Sequence, residues 1–104
     1  MLATAALAVV VCGDMDAAFD RQLSFLLQDC SAATQNLLLA AHGLGLGSCW
    51  VGVHPDEAAV LRLKQELTLP PPFIPMAVVA LGHPGEELPP RTRFSSDRVR
   101  FEKW

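Results

Sequence analysis

Residues 3–12, ATAALAVVVC, form a nearly unbroken apolar run that stops at Gly13-Asp14. Continuous apolarity over that length predicts a strand buried on both faces. Phe19, Leu23, Leu26 and Leu27 then recur at helical spacing, which predicts a helical turn or two within 17–27. Asp29 or Ser31 is placed to cap a main helix running to about Leu44. Its inner stripe reads Cys30, Ala33, Leu37, Ala40 or Ala41, and Leu44, at steps of three and four. The small alanines would let another helix approach closely. The run GSCWVGV at 47–53 is β-branched and aromatic, and predicts a second strand. Pro55 occupies an expected first helical position, with Asp56 and Glu57 in the first turn. Val60, Leu63 and Leu67 supply the buried stripe of this helix, and Pro70-Pro71-Pro72 ends it. FIPMAVVALG at 73–82 predicts a third strand, with Pro75 near its start. After Gly82 the chain turns polar and proline-rich, then basic, and reads as an extended arm. The expected fold class is α+β with an α/β-like order: about three buried strands, two or three helices, and an extended C-terminal arm.

Gly43, Gly45 and Gly47 alternate between the main helix and the second strand. Alternating glycines raise the question of a phosphate-binding loop. Such a loop follows a strand, opens a helix and is spaced G-x-G-x-x-G. Here the order is reversed and the spacing is G-x-G-x-G. These glycines therefore predict a helix stop, with Gly43 or Gly45 in the left-handed conformation.

At 104 residues the chain has the length of one small domain, yet 51 % of it is hydrophobic and only 18 % charged. A domain of this size buries only about 60–70 % of its unfolded surface. Much apolar surface is thus expected to be covered by a second chain or by further chain of the same protein. The net charge of −3 and the absence of a basic run argue against nucleic acid as a partner. The apolar opening lacks a positive flank and is too short to cross a bilayer, which argues against a membrane role. Cys12, Cys30 and Cys49 are odd in number and form no C-x-x-C pair. That pattern points to a reducing, cytoplasmic setting.

Candidate chemistry is sparse. His42, His54 and His83 have no ligand-spaced partners, so no metal site is expected. Cys49 lies in an expected buried strand, where a thiol is inert. Arg91 and Arg93 stand two apart in an extended segment and project to one side, so they either clamp a phosphate or belong to a solvated arm. Trp50 and Gly52 stand where a strand leaves its sheet; they either admit a planar ligand to the backbone or simply pack.

Three stretches, QDCSAATQNLLLAAHGLGLGSCWVGVHPDE, FIPMAVVALGHPGEE and PPRTRFSSDRVRFEKW, together resemble the C-terminal portion of the nitroreductase family of flavoproteins. The closing R-x-R-F and V-x-F-E-K-W resemble one bacterial branch of it. The resemblance implies an FMN-dependent homodimer with interlocking helices, exchanged arms and the flavin at the subunit interface. It implies hydride transfer from NADH or NADPH to nitroaromatics, quinones or similar small-molecule acceptors, with no catalytic side chain because the flavin carries the chemistry. By position, Trp50, Val51, Gly52 and Val53 would line the isoalloxazine ring, the Val53–His54 amides would meet its N5 side, and Arg91 and Arg93 would meet the phosphate. Family members also carry an N-terminal segment with Arg-x-Ser-x-Arg and Pro-Ser-x-x-Asn motifs that bind FMN. Neither motif occurs in these 104 residues, so that segment is expected to be absent. The alternative reading is therefore a truncated, non-catalytic flavin-binding or dimerisation module that needs a partner segment.

Overall fold

A computed structural model describes residues 2–87 and 89–104. Strand β1 spans Leu7–Asp14, helix α1 Leu23–Gly43, strand β2 Gly47–Gly52, helix α2 Glu57–Glu66 and strand β3 Phe73–Gly82. Short 3-10 turns lie at Leu2–Thr4, Phe19–Arg21 and Ser96–Arg98. The expected α+β architecture of three strands and two main helices is present. Among the described residues beyond Gly82, the last of those turns is the one regular element of the arm.

The strand order is β1-β3-β2, with both pairings antiparallel. The last strand in sequence therefore fills the slot between the first two. Paired on both edges, β3 is buried continuously from Pro75 to Ala80, with Val79 fully enclosed. β1 is as apolar but has β3 on one edge only. Its residues 7–12 are exposed or half-exposed, and Leu7 is 58 % exposed. The burial on both faces expected of residues 3–12 is therefore not met by β1; β3 is the strand that is buried throughout its middle. Apolarity reports what a strand can bury, not its place in the sheet.

α1 is one helix of 21 residues. Asp29 and Ser31 sit inside it rather than capping it, and its N-cap is Gln22, with no side-chain cap bond. The reason is register: Leu26, Cys30, Thr34 and Ala41, its buried positions, continue the phase that begins at Leu23. Ala33 and Leu44, expected on the inner stripe, are exposed, and of the alternatives Ala40 and Ala41 it is Ala41 that is buried. Buried Thr34 is tolerated because its hydroxyl donates to the Cys30 carbonyl at 2.7 Å. The helix ends in a Schellman turn. Gly45 adopts φ +73°, while the Leu46 and Gly45 amides donate to the carbonyls of Ala41 (2.9 Å) and His42 (3.0 Å).

Leu26, Cys30 and Met76 form the centre of the core, with Val11, Met15 and Ile74 packed around them. The β1–β3 register slips between Val11, opposite Ala77, and Cys12, opposite Pro75. Met76 is the residue skipped by this bulge.

α2 starts at Glu57, not Pro55. The Asp56 carboxylate accepts from the amides of Ala58 (3.0 Å) and Ala59 (3.1 Å) and is the true cap. Asp56→Ala should lower stability by about 1 kcal/mol, and urea denaturation would read this; an unchanged midpoint would show the cap to be dispensable.

Large apolar side chains remain outside: Leu39 on α1, and Phe94, Phe101 and Trp104 on the arm. The apolar excess of the composition is thus visible as exposed surface. Among the described residues no helix is long and apolar enough to cross a membrane.

Candidate functional site

β2 alternates half-buried and exposed residues along its length. Ser48, Trp50 and Gly52 take the exposed positions, and Val51 is half-buried between them. The register sets Trp50 beside Val79, and Gly52 beside Ala77. On the far edge of β3, Val9 and Val11 complete the same two cross-strand rows. Trp50 is 39 % exposed. A Cβ built on Gly52 would meet no atom within 4 Å. The end of β2 therefore offers an indole next to bare backbone, with open space in front of it.

This strand end is firmly held. The amides of Val53 and His54 both donate to the Met76 carbonyl, at 3.1 and 3.2 Å. The bulge residue thus anchors the turn, and Val53 itself is buried. The Val53 carbonyl accepts from the Asp56 amide at 2.9 Å, which ties the turn to the cap of α2. His54 is half-buried, and the His54–Pro55 peptide is cis. The two amides expected to face a flavin are committed to Met76 here; the open groups of the segment are Trp50 and Gly52. Nothing in the sequence marked Met76, because its role is carried by a backbone oxygen.

Arg91 and Arg93 lie in the arm, outside any strand or helix, and both are exposed. Neither has a carboxylate partner among the described residues, where the ion pair found joins Arg21 to Asp16. Trp50, Val51, Gly52, Val53 and His54 are thus one continuous stretch at the end of β2 and the turn after it, while the two arginines lie on the arm, outside any helix or strand. Five of the eight Lys and Arg residues fall within 91–104, against two of the eleven carboxylates. The arm is basic and the remainder acidic.

The thiols supply no nucleophile at the core. Burial raises the Cys12 thiol above its ordinary range. Cys30 is raised by burial first, then by the negative charge of Asp29 and by Cys12. Both favour the protonated, unreactive form near neutral pH. Cys49 is half-buried, and its sulfur lies 3.9 Å from the Trp50 carbonyl. Among the described residues no group of three or more His, Cys, Asp or Glu side chains could hold a metal ion.

The family model described as "Nitroreductase family" matches residues 1–83. A relative from Methanothermobacter thermautotrophicus, named "Putative NADH dehydrogenase/NAD(P)H nitroreductase", is 42 % identical over 104 residues, which is 100 % of this chain and 53 % of that protein. Among solved structures, an FMN-dependent nitroreductase from Clostridium difficile R20291 matches with a TM-score of 0.83 at 27 % identity, covering 96 % of this chain and 59 % of that one. A Desulfovibrio desulfuricans protein solved in complex with FMN matches with a TM-score of 0.75 at 32 % identity, covering 96 % of this chain and 56 % of that one. The chain spans about half the length of the curated relatives it matches.

Proposed function

The chain belongs to the nitroreductase family, and from that premise we propose that it acts as an FMN-dependent oxidoreductase taking hydride from NADH or NADPH. The acceptors would be nitroaromatics, quinones or similar small molecules, reduced in a second half-reaction after the nicotinamide has left. The family match over residues 1–83 carries this reading. The site fits it in one respect that family membership alone does not guarantee: the space before Gly52 is open, so a flat ring can approach the backbone beside Trp50.

FMN, when bound, supplies the hydride chemistry itself. The chain's own groups would bind and orient. Trp50 and Gly52 would border the ring. Val51 and buried Val53 hold the strand end in place, and the Met76 carbonyl fixes the turn through the amides of Val53 and His54. Any contact from those amides to the flavin would have to share their hydrogens with Met76. Arg91 and Arg93, free of ion pairs among the described residues, would take the phosphate. A homodimer is part of the proposal. Its support is the complementarity within the chain's own surface: a basic, aromatic arm on one hand, and an acidic body with exposed apolar side chains on the other. The cytoplasm, where free thiols persist, would be its compartment.

The test is an anaerobic FMN titration followed by NADH and NADPH, read by flavin absorbance. Bound flavin bleached by the nicotinamide is expected, with the colour restored by a quinone. Gly52→Leu should weaken FMN by about tenfold or more while leaving the fold intact, since its side chain enters open space. A protein that ignores FMN, or binds flavin that no nicotinamide reduces, overturns the reading.

A further inference from the structure

Beside the strand end lies a groove of ≈ 400 Å³ between α2 and the start of β3. Glu57, Val60, Leu61 and Lys64 line it from α2, with Ile74 and His54 opposite. The helical four stand at positions i, i+3, i+4 and i+7, which is one face of a helix. Lys64 is seven residues beyond Glu57, or about 10 Å along the axis. The groove therefore has a cation at one end, a carboxylate and an imidazole at the other, and an apolar floor between. Its volume is within the range of small-ligand sites, about 300–1,000 Å³.

Lys64 is the unusual member. It is half-buried, and its Nζ donates to the Pro71 carbonyl at 2.9 Å. That bond positions the ammonium and leaves two of its three hydrogens unused. No carboxylate lies within 4.0 Å of it among the described residues. A positioned ammonium with no ion pair offers its two remaining hydrogens to an incoming carboxylate. Glu57 is too far along the helix to serve.

We propose that this groove binds a small aromatic acid. Its carboxylate pairs with Lys64, its ring lies on Val60, Leu61 and Ile74, and a donor para to the carboxylate reaches Glu57 and His54. The site stands on these side chains alone and does not depend on the flavin reading.

The probe is 4-aminobenzoate, titrated into the purified protein by calorimetry without FMN. Saturable binding is expected. 4-Aminobenzamide, the same shape without the charge, should bind about tenfold or more weakly. Lys64→Met should cause a similar loss, Lys64→Arg should retain most of the affinity, and Glu57→Ala should weaken 4-aminobenzoate more than benzoate. Melting curves establish that each variant is folded. If Lys64→Met fails to fold, the acid–amide comparison on the unaltered protein decides alone. Equal binding of acid and amide, a folded Lys64→Met with unchanged affinity, or no binding at millimolar probe overturns the proposal.

Discussion

Gly13→Val should destabilise the fold by about 3 kcal/mol, the upper end of the cost of overpacking a core. A Cβ at Gly13 would sit 2.5 Å from Leu26 Cγ and 2.7 Å from both Leu26 methyls. Those separations are well inside van der Waals contact, and valine adds two further carbons. Leu26 is itself 6 % exposed and packed with Cys30 and Met76. Open space for it to yield into lies in the cleft lined by Val11, Ala18 and Ala33. Doing so takes its side chain out of the core, and full exposure of a leucine costs about 1.5–3 kcal/mol. The smaller entropy of the unfolded chain after glycine is lost returns only about 0.4–1 kcal/mol. Urea denaturation reads the difference. A second variant isolates the cause: Leu26→Ala alone should cost about 2–5 kcal/mol, but combined with Gly13→Val it makes room for the new side chain. The double variant should therefore be less damaged than the two losses added, by about 1 kcal/mol or more. Strict additivity, or a Gly13→Val protein as stable as its parent, would mean that β1 and α1 separate more easily than their packing indicates.

Much of this fold is legible from spacing alone, because each element pays its way locally. The apolar run at 73–82 and the Gly45 stop depend on residues within a few positions of one another, and both are where the pattern puts them, whereas the stripe of α1 shares only Cys30 and Ala41 with the expected one among its buried residues. What is not legible is set by partners distant in sequence. β1 and β3 are similar as strings, and only pairing decides that β3 is central and β1 an edge. Thr34 reads as a break in an apolar stripe, yet its hydroxyl is satisfied four residues back. Pro55 suits a helix start by composition, but Asp56 accepts two amides and sets the start later. The candidate site divides in the same way. Trp50–His54 is one continuous stretch, so its residues are found together by reading along the chain. Its anchor, the Met76 carbonyl, leaves no trace in side-chain identity, and neither does the open space before Gly52. Lys64 likewise reads as an ordinary surface cation until Pro71 and the groove are seen around it.

Replacing both Arg91 and Arg93 by Ala should lower FMN affinity by about tenfold to a hundredfold, while riboflavin loses threefold or less. Each guanidinium removed takes away a charge-assisted hydrogen bond, worth about 1.5–3 kcal/mol where it is shielded from water. Both side chains are exposed, so solvent and salt screen them, and the expected loss falls below the roughly 3–6 kcal/mol that two shielded bonds would give. About 1.4–2.8 kcal/mol corresponds to the stated loss. The fold should be indifferent to the change, because neither arginine has an ion-pair partner among the described residues and neither lies in a helix or strand. That separates a binding loss from unfolding. Riboflavin separates phosphate recognition from ring recognition, since it keeps the isoalloxazine and lacks the phosphate. Salt adds a third check: raising ionic strength should weaken FMN in the parent protein and have much less effect in the double variant, where the charges it screens are gone. Gly52→Leu should behave in the opposite sense, costing riboflavin and FMN alike because it obstructs the ring. If the arginine pair instead lowers both ligands equally, the two residues act on the assembly of the site rather than on the phosphate, and the basic arm is then a docking element for the acidic body of a second copy.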